Sequence, residues 1–407
     1  MLFEYDEKFK TQGAIIKVLG IGGAGCNAIN RMIESNMQGV EFIAINTDVQ
    51  DLAVSRADIK LQIGREETNG LGAGAKPEIA RRAVKENIDQ VQDIIKETDM
   101  VCITAGMGGG TGTGAAPIIA QAARDRGCLT LAIVTMPFEF EGPNKHRVAE
   151  KGLQEIKNNV DTLIVVPNQQ LIKIVDSDTS FDEALHIADN ILHQAVKSIT
   201  DLINSQGVFN LDFADVKTIM KDKGEAIMGT GVASGEARAS LAAQQAISSP
   251  LLDNTSIQGA NGILINIIGD ENLTLFEVEE ACKIIREEAG TDSDTIVGII
   301  KDEDLEDEIV INVIATGVQR EEIDESLPTM GETNYQEDDE IEEKKQEKEE
   351  IEEEPVKKQF ELENNFDEEE NTFSDFSSGE KEYENKQKKR EDKEIPSIIR
   401  KNMKLFE

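Results

Sequence analysis

The sequence predicts an α/β protein with a Rossmann-like parallel sheet, a long central helix, a second α+β domain and a disordered acidic C-terminal tail. Three observations predict it. Short apolar runs rich in Val and Ile alternate with helical patterns over roughly the first 180 residues, as strands buried on both faces by crossover helices do. Residues 181–205 then carry an apolar stripe at helical spacing. After Arg320 large apolar residues thin out and charge dominates, so that stretch cannot bury enough surface to offset its chain entropy.

Taken in order, a flexible arm (1–13) precedes strands at 15–21, 41–47, 59–64, 100–105, 129–136 and 161–167, each a β-branched run bounded by turn residues. Helices are expected near 27–36, 77–98, 113–126 and 145–160, so residues 14–180 read as one domain. In 181–205, Leu185, Ala188, Leu192, Ala195, Ile199 and Leu202 recur at three and four residues, with Ile191, Val196 and Ile203 widening the stripe. So broad an apolar face predicts a connecting helix packed from two sides. Residues 206–318 offer helices at 213–222, within 235–248 and at 275–289, and strands at 262–269, 295–301 and 308–315. Residues 319–393 read as an acidic linker and 394–407, EIPSIIRKNMKLFE, as a docking peptide that regains Ile, Leu and Phe.

The chain has 407 residues, a formal net charge of −38 and 30% charged residues against 39% hydrophobic ones, which suits folded and unfolded parts side by side. That acidity argues against nucleic acid and direct adhesion to anionic lipid, since phosphates and headgroups would repel it. The N-terminus, MLFEYDEKFK, lacks the basic and apolar regions of a signal peptide, and no run is long and apolar enough to span a membrane. A cytoplasmic protein without direct membrane insertion is expected. Cys26, Cys102, Cys128 and Cys282 show no paired spacing, and His146, His186 and His193 are too dispersed for a metal site; reduced structural thiols and no protein-held metal are the expectation.

Three glycine-rich loops carry the chemistry. The first strand runs into GIGGAGCN, where Gly20, Gly22 and Gly25 fit the spacing of a dinucleotide fingerprint and Asp48 follows the next strand, about where a ribose-binding acid would sit. Alone, that turn fits a bare tight turn, a dinucleotide site or another nucleotide site. The stretch TAGMGGGTGTGAAP adds a second loop between a strand and a helix expected to open at Ala115, Ala116 and Pro117, Pro being comfortable in a first turn. Gly108, Gly109, Gly110, Gly112 and Gly114 remove the side chains that would hold an anion away, and Thr111 and Thr113 add hydroxyls. TNGLGAGAKP, with Gly72 and Ala73, is the third. Three such loops exceed what a dinucleotide fold needs, and neither of the first two contains the Gly-Lys-Ser/Thr of a P-loop. They imply a polyphosphate wrapped by backbone.

GGGTGTG, GIGGAGCNAINRM and GLGAGAKP together resemble the bacterial division branch of the tubulin/FtsZ superfamily of GTPases, in order from about Lys17 to Gly317. The resemblance implies a GTP-binding first domain and a GTPase that polymerises head to tail, with GTP/GDP and Mg²⁺ as ligands and a location at the division site. It carries phosphate contacts onto Gly22, Gly23, Ala24, Gly25, Cys26 and Gly108–Gly112, with Asn27 near the base. It places Glu141 on the ribose and Asn168 and Asp189 on the guanine. Two positions depart from the usual pattern: Lys145 stands where arginine is common, replacing a fork with a point charge, and Leu185 stands where phenylalanine usually stacks on the base.

In GVFNLDFAD, Asp212 and Asp215 read on their own terms as helix-capping acids, three apart and expected on one helix face. The resemblance makes them, with Asn210, the loop that completes the neighbouring subunit's site. The linker of about 75 residues would span about 50 Å as a flexible coil. Glu394–Arg400 resembles the family's terminal peptide, which binds membrane-tethering and regulatory division proteins; here Glu replaces the usual Asp, and Ile398-Ile399 replaces Phe-Leu.

Overall fold

The computed structural model describes residues 13–318 apart from 174, 176–178, 205–211, 253–255, 291–292 and 303–304. The arm before Gly13, Asn210, the linker and the terminal peptide lie outside the described residues.

The chain forms β1 (Ile16–Ile21), α1 (Gly22–Glu34), β2 (Glu41–Asn46), α2 (Val49–Val54), β3 (Ile59–Gln62), α3 (Arg65–Thr68), α4 (Pro77–Glu86), α5 (Ile88–Ile94), β4 (Met100–Gly106), α6 (Thr111–Asp125), β5 (Leu129–Met136), α7 (Pro143–Lys157), β6 (Thr162–Pro167), α8 (Asn168–Leu171) and α9 (Phe181–Asn204). There follow α10 (Phe213–Met220), β7 (Gly224–Ser234), α11 (Arg238–Ile247), β8 (Gly262–Gly269), α12 (Leu275–Ala289), β9 (Asp294–Lys301) and β10 (Glu308–Thr316). One ten-stranded sheet holds them in the order β3-β2-β1-β4-β5-β6-β7-β10-β8-β9. It is parallel from β3 through β7; β10 then runs antiparallel to β7 and β8, and β9 lies parallel to β8 at the edge.

The apolar strands are buried as expected: β4 and β5 have no exposed residue, because helices cover both faces. On one face α1 and α9 pack through Ile29, Met32, Leu192, Val196 and Ile199; on the other α4–α7 pack through Val84, Ile119 and Ile156. The same α9 stripe reaches Leu264 and Ile314 of the second half, which is why the helix needs so wide an apolar face. Only Leu185 of the expected stripe is exposed. The four cysteines are free and buried, and burial pushes the Cys26 and Cys102 thiols up to about 12, so neither is a nucleophile at neutral pH.

Several elements differ from expectation: α1 starts at Gly22 rather than near residue 27, and the short helices α2, α3 and α8 were not expected. The 77–98 helix breaks at Asn87, whose backbone leaves the helical region while its Oδ1 accepts the Gly64 amide at 2.8 Å. Helix α6 opens at Thr111, so Pro117 lies in its second turn rather than its first. Strand β7 was not expected at all.

Candidate functional site

The C-terminal ends of β1 and β4 lead directly into the N-termini of α1 and α6, and the glycine runs are themselves the first turns of those helices. Neither first turn contains an acid of its own, although the Asp51 carboxylate approaches Gly23 at the start of α1. The three loops meet. A Cβ on Gly22 would lie 2.8 Å from the Gly112 nitrogen, and one on Gly110 would lie 2.8 Å from Ala73 Cβ and 3.1 Å from the Lys76 nitrogen. The bare backbone therefore has two causes. At Gly20, Gly25, Gly106, Gly110 and Gly112 it lets loop pack on loop: a Cβ on Gly20 would sit 2.5 Å from Gly25 O, and one on Gly112 2.8 Å from Gly106 O. At Gly109, by contrast, a Cβ would meet nothing within 4 Å, so its bareness leaves open space. Gly108 adds a left-handed backbone, φ 95°, against the Lys145 side chain.

The two threonines divide. Thr113 is buried and its Oγ1 accepts the Gly108 amide at 2.9 Å, which staples the loop and turns this hydroxyl away from the open side. Thr111 is half-buried and its Oγ1 lies 2.7 Å from Thr47 Oγ1 at the end of β2. Asp48 caps α2 by accepting the Gln50 amide at 2.8 Å, the ordinary task of such an acid at a helix start. Cys26 is buried in α1, whereas Ala24 and Asn27 are exposed; Gly23 lies beside Asp51. Gly72, at φ 82°, and buried Ala73 belong to the loop before α4.

Beyond the loops, Glu141 is held by its own neighbours: Oε1 accepts the Phe138 amide at 2.8 Å and Oε2 accepts from Lys145 Nζ. Asn168 starts α8 directly after β6; its Oδ1 is buried without a hydrogen-bond partner, an arrangement that costs free energy unless a ligand or water meets it. Leu185 and Asp189 stand one turn apart on α9. Burial pushes the Asp189 carboxyl up to about 6, with Arg31 pulling the other way. Arg31 escaped the sequence reading. It lies one turn beyond Asn27 on α1, donates to His186 Nε2 at 2.8 Å and pairs with Glu34 at 3.2 Å; the four-residue step from Asn27 was the signal.

Asp212 and Asp215 stand three residues apart at the start of α10. Asp212 is the N-cap of α10, its Oδ1 accepting the Ala214 amide at a long 3.4 Å, and Asp215 is in the first turn; both are exposed. The other end of α10 is fixed at the start of β6, where Thr162 Oγ1 donates to the Met220 carbonyl. Asn168 and the glycine loops lie at the opposite ends of the strands. Within one chain, then, the glycine loops and Asn168, with its orphaned amide oxygen, follow the carboxyl ends of the strands, while the two exposed acids open α10, whose other end is tied to the start of β6.

Residues 15–176 match the Tubulin/FtsZ family, GTPase domain, and residues 224–319 the FtsZ family, C-terminal domain. A cell division protein FtsZ from Bartonella bacilliformis is 52% identical over 305 residues, covering 75% of this chain and 52% of that protein; the chain spans about half the length of that curated relative. An empty FtsZ dimer from M. jannaschii superposes with a TM-score of 0.73 at 42% identity, covering 76% of this chain and 90% of that one. CetZ2 from Haloferax volcanii, solved as a GTPγS-bound protofilament, shares the fold with a TM-score of 0.64 at 20% identity, covering 76% and 94%.

Proposed function

Because this chain belongs to the tubulin/FtsZ family, we propose that it is a GTPase of cell division that polymerises head to tail, each subunit's acids completing the nucleotide site of the next. The observation that carries this reading is the separation of cradle and acids. Amides of the glycine loops suit phosphate oxygens, and Asn168 and Asp189 suit guanine, whose N1–H and 2-amino donors a carboxylate can accept together. Nothing in that grip orients water at a γ-phosphate. Asp212 and Asp215, with Asn210, would hold and polarise the water from a neighbouring copy, and a contact between two different surfaces of one chain propagates as a filament rather than closing.

In this reading residues 14–180 bind GTP through Gly22–Asn27, Gly72, Ala73, Gly108–Gly112, Glu141, Lys145, Asn168, Leu185 and Asp189, residues 181–205 connect, and 206–318 carry the completing acids. Mg²⁺ would be held chiefly by phosphate and water. Filaments form the cytokinetic ring on the inner face of the membrane. Residues 319–393 tether Glu394–Arg400, which recruits membrane-tethering and regulatory division proteins; among the described residues no helix is long and apolar enough to cross a membrane.

Sedimentation and phosphate release with GTP and Mg²⁺, measured across protein concentration, test the reading together. Specific activity should rise cooperatively as polymer appears. Constant specific activity would mark a monomeric hydrolase, and polymer without phosphate release a purely structural filament.

Asp189 gives a pH prediction. In the nucleotide-free chain its carboxyl titrates near 6, and only the ionised form accepts both guanine donors. GTP affinity should therefore weaken as pH falls below about 6, approaching tenfold per pH unit well below it. The sign for folding alone is opposite: a raised carboxyl costs stability as pH rises from about 4 through 6. Fluorescent-GTP titration between pH 5 and 7.5 decides, and a flat profile removes Asp189 from base recognition.

A further inference from the structure

Two of the chain's histidines, His186 and His193, stand on α9 seven residues and two turns apart, and so on one face of that helix. That face meets α1. Arg31 donates to His186 Nε2 at 2.8 Å, Ser35 Oγ lies 2.9 Å from His193 Nε2, and Asn204 Nδ2 donates to the carbonyl of Gly39, just past α1, at 2.7 Å. Residue numbers rise together on both sides of these three contacts, so the two helices run parallel. Helix α9 therefore starts at the cradle end, as α1 does: the first turn of α1 is a glycine loop, and Leu185 and Asp189 lie in the early turns of α9.

The apolar packing between the helices does not by itself fix their register. Ile29 and Met32 meet Leu192, Val196 and Ile199, contacts that have no direction and that a stripe as wide as that of α9 offers at more than one rotation. Hydrogen bonds select one. The contact at His193 is the most constrained of the three. The single hydroxyl proton of Ser35 goes to the Met32 carbonyl at 2.9 Å, so Ser35 Oγ accepts from His193, whose ring proton sits on Nε2. Burial, with Lys197 acting in the same direction, lowers the His193 imidazole to about 4, so at neutral pH the ring is uncharged and Nε2–H is its one donor. Ser35 is in turn the C-cap of α1. The ring thus ties α9, one turn past Asp189, to the end of the helix whose first turn is the phosphate loop.

We infer that His193 is a positioning residue for base recognition: through Ser35 it sets the register of α9 on α1, and with it the reach from the phosphate loop to Asp189. This rests on the reading above in which Asp189 accepts from guanine. A nucleotide has a fixed span from phosphate to base, so a carboxylate that slides or turns with α9 loses the 2-amino group while the loop amides keep the phosphates. His193 acts through Asp189 and does not touch the nucleotide.

The test uses the full chain below its critical concentration and reads affinity for fluorescent GTP and for fluorescent inosine triphosphate, which lacks the 2-amino group, beside thermal unfolding. The parent should prefer GTP by about tenfold or more, the worth of a hydrogen bond to a charged group. His193→Leu, which fills the space without a donor, should lose most of that preference through weaker GTP binding and barely change inosine triphosphate. Ser35→Ala cuts the same tie from the other side and should do the same, and the double variant should be no worse than either single one. His193→Gln, whose amide nitrogen can take the place of Nε2, should restore the preference. A merely structural histidine would lower Tm and weaken both nucleotides alike. A preference for GTP that survives in either single variant, or losses that add in the double variant, overturns the positioning role; should His193→Leu not fold, Ser35→Ala decides alone. A parent without the preference, or an Asp189→Ala chain that keeps it, would instead overturn the guanine reading, and this inference with it.

Discussion

Asp212→Ala will bind GTP with the parent's affinity and turn it over about 10²–10⁴-fold more slowly, the range for losing a positioned proton acceptor. The binding half of the expectation follows from placement: Asp212 caps α10, whose far end is tied to the start of β6, whereas Asn168 and the glycine loops lie at the other ends of the strands. The turnover half follows from what the cradle lacks, a group to orient water. Alanine also removes a cap, which costs roughly 0.5–2 kcal/mol of helix stability, so a slow Asp212→Ala enzyme could be slow through a frayed α10. Asp212→Asn separates the two. An amide oxygen can accept the Ala214 amide as the carboxylate does, but the side chain carries no charge to polarise water. Asparagine should therefore restore thermal stability and leave turnover as low as alanine does. Titrated into parent protein, either variant should depress total phosphate release by more than its mole fraction, because each silent acid disables a neighbour's site. Phosphate release in mixtures checks this, and release that declines only in proportion to the mole fraction would mean that the acids act within their own chain.

How far the sequence could be read depended on which force shaped each segment. Strands covered on both faces must be apolar along their whole length, and β1, β4 and β5 were legible for that reason. The stripe of α9 was legible because one helix serves two layers. Helix starts were less so. Glycine disfavours helix interiors, so α1 was expected five residues late; its first turn is glycine because backbone presses on backbone, a Cβ on Gly25 falling 3.0 Å from the Gly20 carbonyl carbon. The cradle's loops could be argued from residue types alone, but Glu141, Asn168, Leu185 and Asp189 could not. They come from the ends of β5 and β6 and from α9, and only resemblance to a family joins them before the fold is known. Asn87 likewise broke a helix through a partner, Gly64, that periodicity does not show.

Strand β7 is the sharpest case, and it yields the largest expected effect on stability: Gly231→Val should lower the unfolding free energy by roughly 3 kcal/mol and Tm by about 5–10 °C. GEAIMGTGVAS reads poorly as a strand because Gly229 and Gly231 lower its β-propensity. Both glycines face α11. A side chain on Gly231 would fall on the carbonyl oxygen of Ala242 and 2.7 Å from the Ala246 nitrogen, and one on Gly229 on the carbonyl of Ala246. The helix is alanine-rich on that side, with Ala239, Ala242, Ala243 and Ala246 all buried, so strand and helix meet backbone to backbone. Because the obstacle is main chain, no smaller residue on α11 can relieve it; the helix must lift or the strand must leave its register with β10, where Gly231 faces Ile311. GTP binding, which depends on loops at β1 and β4, should survive in the valine variant at temperatures where the chain is still folded. Thermal unfolding beside fluorescent-GTP titration checks both parts, and a valine variant that melts within a degree of the parent would show that α11 does not press on the strand as described.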